Sequence, residues 1–204
     1  MRTALYALLT AFCLVGCSDP ALKPLSGDAT ILAFGDSLTY GTGAPSRYSY
    51  PAVLEKLTGL KVINAGVPGE LSAEGLVRLP MVLQEHTPDM VVLVHGGNDT
   101  LRNVSPELTQ AKLDSMIQLI RTEGADVVML GVPGRNLTLS VPSYYGEIAD
   151  RLGVPMDDTV LPRLMRDRSV KSDAVHFNQA GYRRMAEAVQ TLLAESGAIS
   201  NRHL

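Results

Sequence analysis

The sequence predicts a single α/β domain, a parallel sheet of roughly five strands covered on both faces by helices. Three observations carry that reading. Short, nearly unbroken apolar runs recur along the chain, segments of helical period alternate with them, and 204 residues that are 46% hydrophobic are enough for one sizeable core.

The strands come first because their pattern is the cleanest. Residues 31–34 (ILAF), 61–63 (KVI), 90–94 (MVVLV) and 127–130 (VVML) show apolar runs without alternation. Such runs suit strands buried on both faces, as in a parallel sheet. A weaker fifth strand is expected near 154–156 (VPM). Between the second and third runs, Leu76, Leu79 and Leu83 share one helical face, and Pro80 is expected to kink that helix or to begin its second half. After the third run, Ser105, Pro106 and Glu107 supply a cap, a first-turn proline and a first-turn acid. Leu113, Met116, Ile117 and Ile120 then follow helical spacing. The last helix opens at Asn178 and carries Met185, Val189, Leu192 and Leu193 on one face. The irregular stretch 132–145 after the fourth run is a candidate binding loop.

Composition excludes several function classes. A net charge of -3 with no clustered basic face argues against a nucleic-acid partner. The two cysteines, Cys13 and Cys17, cannot build a disulfide framework or a structural zinc site. Both lie in an opening stretch with one positive charge, Arg2, and an apolar run of about a dozen residues, which reads as a secretory signal. That run is well short of the roughly 20 residues a membrane-crossing helix needs. Leu14-Val15-Gly16-Cys17 resembles the bacterial lipobox, which implies cleavage before Cys17 and acylation of its sulfur. The expected organisation is a signal at 1–16, a tether at 17–28 and a single folded domain at 29–204. The expected location is the bacterial envelope, with the chain held on a membrane by its lipid and facing the periplasm or exterior.

In open α/β sheets, ligands bind beyond the carboxyl ends of the strands. There the sequence places Gly35-Asp36-Ser37-Leu38-Thr39, Asn64-Ala65-Gly66-Val67-Pro68-Gly69-Glu70 and Gly96-Gly97-Asn98-Asp99, with Asp173-Ala174-Val175-His176-Phe177-Asn178 near the end of the chain. A serine in a tight strand-to-helix turn is a geometry that exposes a nucleophilic hydroxyl. These four blocks, in this order, resemble those of the SGNH, or GDSL, hydrolase superfamily, with most likeness to its bacterial thioesterase, arylesterase and lysophospholipase branch. The resemblance covers most of residues 30–193 and is weakest over 131–168.

The resemblance implies a three-layer αβα, flavodoxin-like fold and a cofactor-independent, metal-free serine hydrolase acting on carboxylic esters. It implies Ser37 as nucleophile, His176 as general base and Asp173 as the acid that orients the imidazole. The oxyanion donors would be the backbone N–H of Ser37, the backbone N–H of Gly69 and the side-chain amide of Asn98. Two departures stand out: Glu70-Leu71 where the branch usually has an aspartate and a small hydroxyl residue, and Ala174 and Phe177 in the histidine block. Substrates implied are short- to medium-chain acyl esters, aryl esters, thioesters or lysophospholipids. Two rivals are an O-acetylesterase acting on envelope or extracellular glycan and a non-catalytic envelope binding module.

Blander roles suit the neighbouring polar residues. Asp36 and Asp99 are expected to serve turns and caps, His95 to be a hydrogen-bonded core histidine, and His86 and His203 to lie at the surface. Asp157-Asp158 lacks the spacing of a calcium loop. Residues 41–46 lack the third glycine of a dinucleotide fingerprint, so no nicotinamide cofactor is expected.

Overall fold

The structure is a computed structural model that describes residues 22–134 and 138–200. The expected signal, the acylation site at Cys17 and His203 lie outside the described residues. Five strands form one parallel sheet in the order β2-β1-β3-β4-β5. They are β1 (Thr30–Gly35), β2 (Lys61–Gly66), β3 (Met90–Val94), β4 (Asp126–Leu130) and β5 (Met156–Asp157). β1 lies at the centre, with Ile31 beside both Val62 and Met90.

Among the described residues eight α-helices cross between or follow the strands: α1 (Ser37–Tyr40), α2 (Tyr50–Thr58), α3 (Ser72–His86), α4 (Gly97–Leu101), α5 (Pro106–Thr122), α6 (Ser143–Leu152), α7 (Val160–Arg166) and α8 (Gln179–Glu195). The chain steps one way from β1 to β2 and back the other way to β3. Right-handed crossovers therefore put α2 and α3 on opposite faces. α2 pairs with α8 and α3 with α5, which completes the two outer layers. The core is the sheet itself, since β3 is wholly buried and the four residues 31–34 of β1 have no exposure.

The helix signals hold. Ser105 Oγ accepts from the Leu108 N–H at 3.3 Å, and Asn178 Oδ1 accepts from the N–H groups of Ala180 and Gly181. Leu79, Leu83, Leu113, Met116, Ile117 and Ile120 are buried as their spacing requires.

Two expectations change. β2 is half-exposed along its length because it is a sheet edge, so it is covered less than a central strand. Pro80 lies within α3, which continues through it as one helix of 15 residues. Pro80 faces solvent, so water can take the Leu76 carbonyl that a backbone N–H would otherwise reach. The folded body also begins ahead of residue 29. Leu22 is buried and donates its N–H to Ser196 O at 2.9 Å, and Leu25 donates to Ala198 O at 2.8 Å, so this part of the expected tether is docked chain.

Candidate active site

Ser37 is the first residue of α1, directly after β1 and Asp36. Asp36 caps that short helix, its Oδ1 accepting from the Leu38 N–H at 3.0 Å. The Asp36 carboxyl is 3% exposed, and burial pushes its pKa up. The turn depends on close backbone approach from β2. A Cβ on Gly66 would stand 2.1 Å from the Tyr40 nitrogen, so a side chain there would displace the segment that carries Ser37.

His176 and Asp173 arrive from the other end of the chain on a tight loop. Lys171 and Phe177 bridge antiparallel, and the Ser172 N–H donates to His176 O at 3.0 Å. Phe177 anchors the loop from within the core, edge-on to Tyr182. Within it, Asp173 Oδ1 accepts from the N–H groups of Val175 and His176, both at 2.8 Å, and Asp173 Oδ2 lies 2.8 Å from His176 Nδ1. The backbone N–H of His176, then its ring, holds the Asp173 carboxyl down at about 2. His176 Nε2 lies 3.0 Å from Ser37 Oγ. With Nδ1–H donating to an ionised aspartate, Nε2 carries the lone pair that accepts from the serine hydroxyl. Asn178 is turned elsewhere, donating to Ser169 O and capping α8, so it takes no part in orienting the ring.

The expected oxyanion groups gather on the same edge. Gly69 has φ +81°, a left-handed conformation that favours glycine, and its carbonyl accepts from Arg102 at 3.0 Å. The next residue accepts through its carbonyl from Asn98 Nδ2 at 3.0 Å, and the same amide nitrogen lies 3.2 Å from Asp36 Oδ2. Ser37, Asn98 and the turn after β2 are thus tied into one hydrogen-bonded unit.

Behind that unit stands a network that sequence reasoning did not find. Glu70 receives Arg78 on both oxygens, each at 2.7 Å, and His95 Nε2 on Oε2 at 3.1 Å. Burial pushes the Glu70 carboxyl up, but the hydrogen bonds and charge of Arg78 and His95 outweigh it and bring it to about 2. Arg78 also donates to Ala65 O at 3.0 Å and lies over the Phe34 ring. His95 is fully buried, accepting from the Gly96 N–H at Nδ1 and donating to Glu70 from Nε2. It is the core histidine that its position suggests. The only advance sign of the network was the departure at position 70.

Ser37 and Asn98 open into a cleft of about 260 Å³ whose walls are mostly apolar, including Leu38, Leu101, Val132, Leu139, Met165 and Val175. Val132, Pro133, Gly134 and Leu139 come from the stretch anticipated as a binding loop.

The other polar residues take structural posts. Asp99 accepts from the Ser72 N–H and hydroxyl at the start of α3, and Asp157 Oδ1 accepts from the N–H groups of Thr159 and Val160. His86 is partly exposed beside Glu85. Among the described residues no three acidic, histidine or cysteine side chains cluster to hold a metal ion.

Residues 33–184 match the model of the GDSL-like lipase/acylhydrolase family. The chain belongs to that family. An arylesterase of Vibrio mimicus is 36% identical over 148 residues, covering 70% of this chain and 67% of that one. A thioesterase 1/protease 1/lysophospholipase L1 of Escherichia coli K12 is 30% identical over 162 residues, covering 74% and 76%. The crystal structure of TesA superposes with a TM-score of 0.73 at 30% identity, over 82% of this chain and 99% of that one. This GDSL-family protein is therefore an ester-hydrolysing enzyme with the three-layer fold of its relatives. Within the family pattern, the Glu70 departure leaves the turn after β2 intact, because Arg78 and His95 receive the longer acid.

Proposed function

We propose that this enzyme is a serine esterase that works through an acyl-enzyme, with Ser37, His176 and Asp173 as its triad. The observation that carries the reading is the continuous line from Ser37 Oγ to His176 Nε2 at 3.0 Å and from His176 Nδ1 to Asp173 Oδ2 at 2.8 Å. As Ser37 Oγ bonds to the ester carbonyl carbon, its proton passes to His176 Nε2 and the carbonyl electrons move onto oxygen. The N–H groups of Ser37 and Gly69 and the amide of Asn98 receive that oxyanion, Asn98 sharing the hydrogen now directed at Asp36. Collapse breaks the bond to the leaving group, which takes the proton from Nε2. Water then attacks the acyl-enzyme, loses its proton to His176, and Ser37 recovers that proton as the acid departs. Asp173 remains an anion throughout, as its carboxyl at about 2 requires.

The substrates we assign are carboxylic esters with short- to medium-chain acyl groups, among them aryl esters, thioesters and lysophospholipids. The names of the arylesterase and lysophospholipase relatives support that class. So does a cleft of about 260 Å³, below the roughly 300–1,000 Å³ of sites that enclose drug-sized ligands. We further assign the enzyme to the bacterial envelope, anchored through an acylated Cys17, since the stretch before Cys17 has lipobox form.

Labelling with a fluorophosphonate probe tests the triad, and nitrophenyl esters of rising chain length test the acyl class. Wild-type protein should label and Ser37→Ala should not, with turnover falling off at long acyl chains. A folded wild-type enzyme that neither labels nor cleaves any chain length would end the proposal.

A further inference from the structure

The chain enters the folded body at the end farthest from the cleft. Leu22 and Leu25 are fastened to Ser196 and Ala198, just past the end of α8, and residue 30 then opens β1 at the amino edge of the sheet. Asp89, immediately ahead of β3, caps that same edge by accepting from the Thr30 N–H at 2.7 Å. The site lies on the opposite edge, with Ser37 after β1, Asn98 after β3 and Val132 after β4. Helix α8 measures the separation. It starts beside His176 and ends at Glu195, and its 17 residues rise about 25 Å at 1.5 Å each.

We propose that a lipid on Cys17 holds the catalytic mouth facing away from the bilayer that carries it, so that the enzyme takes water-borne esters and not lipids of its own membrane. The inference rests on the anchored-esterase reading above. Leu22 is docked, so a lipid on Cys17 lies at most five residue steps from the folded body. Fully extended they span at most about 18 Å. Laying the mouth on the bilayer requires a tether as long as the body is tall, about 25 Å by the length of α8. The tether is too short for that, but long enough to leave the amino edge of the sheet free to rest near the lipid surface. Esters released into the aqueous space reach the cleft directly, whereas a lysophospholipid of the host membrane must first leave it.

The arrangement can be read with two single-thiol variants of the full chain, Lys23→Cys and Tyr40→Cys. Lys23 is exposed on the docked segment, and Tyr40 is 55% exposed on the turn that carries Ser37. The chain's two cysteines are Cys13, which leaves with the signal, and Cys17, whose sulfur is acylated, so each introduced thiol takes the dye alone. Processed protein is reconstituted on vesicles containing lipid with a nitroxide on its headgroup, and flotation is scored first. The dye at position 23 should be strongly quenched and the dye at position 40 should be as bright as on nitroxide-free vesicles. Lysophospholipid in the enzyme's own vesicles should turn over no faster than the same lipid in separate vesicles. Equal quenching at both positions, or faster turnover within the same vesicle, would overturn the orientation. Protein that fails to float would remove the anchor and this inference together. A floating protein with the expected quenching that cleaves neither lysophospholipid nor soluble ester would keep the geometry and overturn the choice of substrate.

Discussion

Replacing Glu70 by glutamine tests whether the buried network behind the turn after β2 supports both fold and site. The substitution keeps the shape but removes the charge, and it turns one oxygen acceptor into an N–H₂ donor facing Arg78 or His95, which themselves donate. Glu70 is 6% exposed and Arg78 20%, so the pair is largely desolvated. Breaking a fully buried pair from one side costs about 3–5 kcal/mol. Arg78 keeps some solvent and its bond to Ala65 O, so we place the loss below that range, at about 2–3 kcal/mol. For a domain of this size that lowers Tm by roughly 5–10 °C.

Turnover should fall as well, because the Glu70 carbonyl receives Asn98 Nδ2 and adjoins Gly69. Misplacement of such groups by about 1 Å can cost on the order of 10²-fold in rate, and the loss should appear in kcat with KM little changed. The pH dependence has a fixed sign. Glu70 titrates at about 2 in the folded protein and near 4.3 when unfolded, so its stabilisation is complete above pH 5 and is lost as pH falls toward 2. The Tm gap between wild type and Glu70→Gln should therefore narrow on acidification. Thermal unfolding across pH, with kcat and KM on a nitrophenyl ester, measures all three effects. A variant with wild-type Tm at neutral pH and wild-type kcat would refute the reasoning.

Three further substitutions probe the site. Asn98→Ala removes one oxyanion donor and should lower kcat by about 10²–10³-fold, measured on soluble ester, with Tm falling modestly because its bonds to Asp36 and the Glu70 carbonyl are also lost. Asp173→Asn should reduce turnover by as much as about 10⁴-fold while fluorophosphonate labelling slows in parallel, since the ring would lose both its charge partner and its fixed tautomer. Gly66→Ala places a Cβ 2.1 Å from the Tyr40 backbone nitrogen, and the strain should destabilise by about 1–3 kcal/mol or more, read as a lower Tm together with loss of labelling at Ser37.

The central strands were legible because a parallel sheet buries both of their faces, leaving continuous apolar runs at 31–34, 90–94 and 127–130. Edge strands carry less signal. β2 is half-exposed, and β5 is only Met156 and Asp157, too short for any period to register. Pro80 marked a position within a helix and not its end, since α3 continues through it over 15 residues. Asp173 and His176 were readable together because their contact is local, three residues apart on one loop. Leu22 and Leu25 were read as tether because isolated leucines among prolines give no hint of the distant backbone carbonyls of Ser196 and Ala198 that receive their N–H groups.

The Glu70 network was illegible for the converse reason: its members lie on three separate elements, 8 and 25 residues away from position 70, and only the fold makes them neighbours. Their dependence on one another can be argued from the geometry. The acid leaves the turn after β2 and must span both the guanidinium on α3 and the imidazole at the end of β3, a reach that a side chain one methylene shorter would not provide from the same backbone position. The imidazole in turn needs room against α3, and Gly75 provides it, since a Cβ there would lie 2.5 Å from His95 Nε2. Glu70, Gly75, Arg78 and His95 thus form one unit in which each residue type makes sense only beside the others. Glu70→Asp alone should destabilise by leaving His95 or Arg78 short of its acceptor. Because Gly75 leaves no side chain there to fill a vacancy, trimming the imidazole together with the acid should leave a cavity and not a repaired core.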